Sequence, residues 1–182
     1  MLETLTQPKI AADYMRLPEG TPIQLIAGEF IMSPSPLTFH QRISMRLSSS
    51  LYDFVMKRGL GEVFHAPTDL HVSYKDVYQP DIFFISKEHL IDIEEDGIYG
   101  APDLVIEILS PSTAGYDRGV KMEAYQKFGV KEYWIVDPKE TTMEAYANAA
   151  DSFQTTFSGK EGVLCSTALP EFCVDVQSVF KR

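Results

Sequence analysis

Apolar residues recur along this chain in two rhythms, and each change of rhythm marks an element. From Thr38 to about Arg58, Ile43, Leu47, Leu51 and Phe54/Val55 return every three or four residues, which predicts a helix with one apolar stripe. Thr38 suits its N-cap and Gly59 its left-handed end. Upstream, IQLIAGEFIM predicts a β-hairpin turning at Ala27-Gly28. Ser33-Pro34-Ser35-Pro36 stops the second strand, because each residue before a proline is held extended. Downstream, EVFHAP, DLHVSY and QPDIFFIS are short strand-like runs separated by turn residues. EHLIDIEEDGIYG is acidic and irregular, and reads as a surface loop with a short helical piece. PDLVIEILS holds five Leu, Val or Ile residues and reads as a strand buried on both faces.

After the loop PSTAGY, a helix is expected from about Asp117 to Phe128, with Val120, Ala124 and Phe128 as its inward stripe and Gly129 closing it. KEYWIVDP and TTMEAYAN predict two strands joined at Pro138-Lys139. SFQTTFSG and GVLCSTAL follow as another pair, and VDVQSVFKR as a last short helix. The strand–helix–strand unit over 103 to 137 implies a right-handed crossover and a locally parallel pair. The expected architecture is an α/β domain, a mixed sheet with a helix on each face. Residues 1 to 16 read as a loosely attached arm or short helix available to a partner, and 17 to 182 as one domain, with Leu17-Pro18-Glu19-Gly20 as the turn between them.

A length of 182 residues with 45% hydrophobic and 12% aromatic content allows a sizeable core. The net charge of -10, from 26 acidic and 16 basic residues, is not that of a general nucleic-acid binder. No apolar run is long enough to span a membrane and no leader pattern opens the chain, so a soluble cytoplasmic protein is expected. Cys165 and Cys173 lack zinc-ligand spacing, and their apolar neighbours suggest buried thiols.

Two strand-like runs begin with Pro-Asp, at Pro80-Asp81 and Pro102-Asp103. The second carries Glu107 among Leu, Val and Ile, where a carboxylate is costly to bury unless something pairs with it or is coordinated by it. If the two strands pair, Asp81 and Glu107 can face one divalent cation, since hard ions such as magnesium need only one or two protein carboxylates. Such an ion can polarise a phosphodiester. Lys121, on the following helix, could position water or stabilise phosphate charge. The bland alternatives are a turn-capping Asp81, a Glu107 paired with Arg118 or Lys121, and a solvated Lys121. Asp103 lies about 13 Å along the strand from Glu107 and is read as structural.

The run VYQPDIFFIS, then GAPDLVIEILSPSTAGYDRGVKMEAYQKFGVKEYWIVDP, resembles the Uma-type restriction endonuclease family of the PD-(D/E)XK nuclease superfamily. GEFIMSPSP before a helix carrying His40, and the closing LPEFCVDVQSVF, resemble it too, so the likeness covers roughly 17 to 180. The resemblance implies a restriction-endonuclease-like mixed sheet flanked by helices. It also implies a Mg2+- or Mn2+-dependent endonuclease acting on nucleic acid, DNA in the first instance, as a homodimer. Asp81 and Glu107 would be its metal-binding catalytic acids. Leu109 stands where the superfamily pattern places its lysine, which moves that role to Lys121. Glu29 and His40 are secondary candidates, Glu29 because superfamily members often add an acid from that region. By type alone, His40 in the first helical turn is a packing or capping group, and Tyr125, one turn from Lys121, is a core residue. Ser110 and Ser112 have no base placed beside them and no Gly-x-Ser-x-Gly context. The alternatives are a non-catalytic interaction protein that keeps the nuclease fold, motivated by the charge and Leu109, and a hydrolase of some other phosphate ester.

Overall fold

The structure, a computed structural model, describes residues 7–150 and 152–181. The first six residues of the expected arm lie outside that range. A short helix α1 (Ala11–Tyr14) precedes the hairpin β1 (Ile23–Ile26) and β2 (Glu29–Met32), and then the long helix α2 (Thr38–Arg58). Next come β3 (Gly61–His65), β4 (Leu70–Ser73), β5 (Asp76–Tyr78) and β6 (Ile82–Ser86). A 3-10 turn (Lys87–Asp92) leads to β7 (Ile93–Glu94), β8 (Gly97–Ile98) and β9 (Leu104–Ile108). After α3 (Ala114–Asp117) and α4 (Val120–Phe128) follow β10 (Glu132–Asp137), β11 (Thr142–Asn148) and β12 (Phe153–Gly159). The ribbon β13 (Val163–Cys165) and β14 (Cys173–Asp175) and the short helix α5 (Val176–Val179) complete the chain.

The strands form two six-stranded sheets rather than one. The first has the order β2-β1-β5-β4-β8-β7 and the second β12-β11-β10-β9-β6-β3. The parallel pair expected from the strand–helix–strand unit is there, with Ile106 of β9 opposite Trp134 of β10. Side-chain alternation in the second sheet feeds two cores. Ile82, Phe84, Leu104, Ile106 and Trp134 pack against the stripe of α2, Ile43, Leu47, Leu51 and Val55, together with the β13–β14 ribbon. Phe83, Ile85, Val105, Tyr133 and Ile135 face the other way, onto α4 and the first sheet. The result is mixed sheets flanked by helices, with α2 and α4 on opposite faces of the second sheet.

Most local expectations are met. Ala27 (φ 51°) and Gly28 (φ 80°) are both left-handed, as a two-residue hairpin turn requires. Asp76 Oδ1 accepts the Ala27 N–H at 2.7 Å and helps hold that non-glycine residue there. Gly59 ends α2 at φ 57°, but Leu37 rather than Thr38 is the N-cap, and its side chain makes no capping bond. The expected helix from Asp117 is two pieces, because the backbone turns aside at Gly119 (φ −119°, ψ −107°). The arm is not loose in its described part: Tyr14 is buried and its hydroxyl donates to Asp69 Oδ1 at 2.8 Å.

The cysteines depart from expectation. Leu164 and Val174 face each other inward across the ribbon, so the period of two turns Cys165 and Cys173 outward. They are exposed and joined as a disulfide, not buried thiols. Among the described residues, no helix is long and apolar enough to cross a membrane.

Candidate active site

β6 and β9 run antiparallel with Ile82 opposite Ile106, and one more step in that register brings Asp81 across from Glu107. The Asp81 N–H donates to Glu107 Oε2 at 3.4 Å. Asp81 Oδ2 accepts the Ile108 N–H at 2.7 Å, so the carboxylate bridges the start of one strand and the end of the other. The bond reaches across to β9 rather than capping a local turn, and it leaves Oδ1 facing His40.

Glu107 is 3% exposed, in a strand whose five residues are all buried. Its Oε1 takes the Lys121 ammonium at 2.5 Å and the Tyr125 hydroxyl at 2.8 Å. Lys121 Nζ also donates to Asp117 Oδ1 at 2.9 Å. Lys121 and Tyr125 lie four apart on the buried face of α4, and Asp117, the buried last residue of α3, sits beside them across the turn at Gly119. The stripe expected to point inward, Val120, Ala124 and Phe128, is only partly buried beside it. The physical reason is Glu107: a carboxylate buried in the sheet needs a cation and donors, and turning the helix to supply them offsets part of the cost of burying it.

The electrostatics follow from crowding. Burial pushes the Glu107 carboxyl up to about 7; Lys121 opposes the shift, while Asp117 and Asp81 add to it. Burial pulls Lys121 down, but Glu107 and Asp117 outweigh it and hold the ammonium above its ordinary range. Burial also pulls His40 down, and Asp81, the Ile108 carbonyl and Glu107 outweigh it and leave the imidazole raised. His40 Nε2 lies 3.0 Å from the Ile108 carbonyl and 3.4 Å from Asp81 Oδ1, while its buried Nδ1 has no hydrogen-bond partner among the described residues. His40, a secondary candidate whose type alone suggests packing or capping, therefore faces the carboxylates.

Asp81, Glu107, Asp117, Lys121 and His40 share the wall of a cleft of about 1200 Å³. Its other acids are Glu19, Asp69, Glu94, Glu95 and Asp96, and Lys121 and His40 are the basic residues that line it. Glu29 is not among them. It opens β2 just past the hairpin turn, where it is exposed and lines a separate hollow with Lys9. Asp103 is structural: buried, it accepts the Ser86 N–H at 2.7 Å and pairs with Lys131 at 2.5 Å. Arg118 turns away to a bidentate contact with Glu144. Two members escaped sequence reasoning. Asp117 was read only as a helix-start acid; it ends α3, and the turn at Gly119 sets its carboxylate against Lys121. Tyr125 was read as core, and it is, but its hydroxyl is spent on Glu107.

The donors near the floor, two carboxylates and the Ile108 carbonyl, are all hard oxygens of the kind Mg2+ or Mn2+ takes. Among the described residues, no group of three or more His, Cys, Asp or Glu is arranged to hold a metal ion.

Mixed sheets flanked by helices in this order are the restriction-endonuclease-like class of α/β fold. Residues 11–177 match the model of the Uma2 family, described as "Putative restriction endonuclease", and the chain belongs to that family. It is similar to "Uncharacterized protein sll1609" of Synechocystis sp., 26% identical over 155 residues that span 83% of this chain and 87% of that protein. Its fold is similar to the crystal structure of "a putative nuclease belonging to DUF820" from Anabaena variabilis. There the TM-score is 0.78 at 23% identity, over 95% of this chain and 98% of that one.

Proposed function

We propose that this protein hydrolyses phosphodiester bonds of nucleic acid, DNA in the first instance, at the floor of the cleft. Asp81 and Glu107 would hold Mg2+ or Mn2+, and Lys121 would act beside them. The observation that carries the proposal is the convergence of these three residues from two strands and a helix, with Lys121 Nζ 2.5 Å from Glu107 and the Asp81 N–H 3.4 Å from the same carboxylate. Membership of a family described as a restriction endonuclease supports the reaction class.

Two protein carboxylates suffice for such an ion, because waters and substrate phosphate supply its remaining oxygens. When bound, it would supply Lewis-acid polarisation of the scissile phosphoryl group. Lys121 carries a fixed positive charge close to the carboxylates, suited to stabilising charge on the phosphate or orienting the attacking water. Asp117 and Tyr125 hold that ammonium and the Glu107 carboxylate in place. Cutting both strands of a duplex calls for two such sites, so the active species is inferred to be a homodimer. Sedimentation that returns a monomer on DNA would remove that part.

The test is nicking of plasmid and single-stranded DNA with Mg2+ or Mn2+, wild type beside Glu107→Ala. Activity that depends on the cation and disappears in the variant is expected; equal activity in both preparations sinks the assignment. A second reading, an interaction protein that keeps the nuclease fold without catalysis, is favoured by the acid-rich cleft, where phosphate finds little besides Lys121 and His40 to attract it. Calorimetry with Mn2+ separates the two, since a site that takes up no cation supports the second.

A further inference from the structure

Gln79 and Asp81 line the cleft, and with Pro80 they form one of the chain's passages from the first sheet to the second, between the end of β5 at Tyr78 and the start of β6 at Ile82. Asp81 is therefore presented by a crossover, not by the middle of a strand. Pro80 has no N–H to anchor the passage, so the hold on its upstream side falls to Gln79. The Gln79 N–H donates to Gln24 Oε1 on β1 at 2.9 Å. Its side-chain amide donates to Asp69 Oδ1 at 2.9 Å and to the Tyr14 hydroxyl at 3.3 Å. Tyr14 donates in turn to the same Asp69 oxygen at 2.8 Å, and the Gln24 amide donates to Ser33 Oγ at 3.0 Å. Helix α1, the hairpin and the approach to β4 are all tied to one residue, two positions before Asp81.

Tyr14 and Gln24 are each 7% exposed, so these polar groups are desolvated and must be satisfied internally. They are: both amide hydrogens of Gln79 are committed to Asp69 and Tyr14, and Gln24 accepts one bond and gives another. A network whose donors are already spent is poorly suited to reading a ligand. It is well suited to fixing backbone, and the backbone it fixes leads straight into Asp81.

We propose that Gln79, clamped by Gln24 and Tyr14, is the positioning element that sets Asp81 opposite Glu107. The inference rests on the reading of Asp81 as a cation ligand, and it gives the amino-terminal helix and hairpin a part in the site. Groups that orient a metal's ligands change affinity by about 10- to 100-fold when removed. The test is calorimetric titration of the full chain with Mn2+, together with melting temperatures, for wild type, Gln24→Ala, Gln24→Glu, Tyr14→Phe and Asp81→Asn. Gln24→Ala leaves the Gln79 N–H without its acceptor and is expected to weaken Mn2+ binding about 10-fold or more. Gln24→Glu keeps an acceptor oxygen there and is expected to recover most of the loss. Tyr14→Phe removes one hydroxyl and gives a severalfold weakening, and it carries the test if Gln24→Ala does not fold. A melting temperature that drops while the dissociation constant stays at the wild-type value shows a purely structural network and overturns the clamp. Should Asp81→Asn titrate like wild type, the metal reading itself fails and the clamp falls with it.

Discussion

Lys121→Met tests the buried charge cluster most directly, because methionine keeps the length of the side chain and removes only the ammonium. In the native protein that ammonium is the shared partner of Glu107 Oε1 at 2.5 Å and Asp117 Oδ1 at 2.9 Å, and all three side chains are at most 4% exposed. Without it, two buried carboxylates are left with no cation between them. The cost is capped, because either acid can take up a proton instead of staying charged. Burial already holds the Glu107 carboxyl up at about 7 in the native protein, so at pH 7 it can take up a proton at little further cost, and the loss falls on Asp117. Asp117 is then left buried without its cation, and the expected loss of stability is the roughly 3–5 kcal/mol for breaking a buried pair from one side. The pH dependence follows from the same raised carboxyl. Above pH 7 the native protein keeps Glu107 charged against Lys121 while the variant must still protonate it, so the difference should grow by up to about 1.4 kcal/mol per unit between pH 7 and 9.

Urea unfolding of both proteins at pH 7, 8 and 9, at constant ionic strength, reads this directly. Activity is not needed, so the result stands whether or not the cleft is catalytic. A loss under about 1 kcal/mol at pH 7, or one that is equal at pH 7 and pH 9, would refute the reasoning, since either result means that Lys121 is not holding buried carboxylate charge.

Two further substitutions probe carboxylates that the sheet holds elsewhere. Glu132 is fully buried without a cation, and accepts from the Trp134 indole at 2.8 Å, the Thr167 and Ala168 N–H groups at 3.0 and 2.9 Å, and the Ser166 hydroxyl. Glu132→Ala orphans these donors at roughly 1–3 kcal/mol for a buried group, so a loss of at least about 3 kcal/mol in denaturant unfolding is expected. A loss below about 1 kcal/mol would contradict it. Burial raises the Asp103 carboxyl, but Lys131 and Ser86 outweigh it and hold the group below its ordinary pKa. Its stabilisation is therefore complete above the ordinary carboxylate range and is lost as pH falls through the depressed folded value. Asp103→Asn should cost about 1–2 kcal/mol at pH 7, discounted because Lys131 is half exposed, with the difference fading towards pH 2. A difference that persists or grows in acid would reverse that sign.

What the sequence made legible is what apolar periodicity alone decides. Ile43, Leu47, Leu51 and Val55 specify α2 and its buried face, and the run from Leu104 to Ile108 specifies a strand buried on both sides. The division into two sheets was not legible, because it depends on strands of two or three residues, β5, β7 and β8, too short to show any rhythm, and on a crossover at Gln79 to Asp81 fixed by contacts distant in sequence. The Cys165–Cys173 bridge was hidden because apolar neighbours suggest burial, whereas in a ribbon they imply that the alternate positions face out.

The face of α4 is the most instructive miss, since hydropathy chose Val120, Ala124 and Phe128 over Lys121 and Tyr125. Taken alone, a lysine on a helix belongs in water. Taken with a glutamate inside a run of Leu, Val and Ile, it is the cation that strand requires, and the helix turns to deliver it. Neither charge can be placed from its own segment. The cost of burying Glu107 decides the rotation of α4, and that rotation carries Lys121 and Tyr125 into the site, where Asp117 at the end of α3 meets the ammonium. Buried charges in a chain like this one are therefore best read as pairs across elements, before hydropathy assigns either member to solvent.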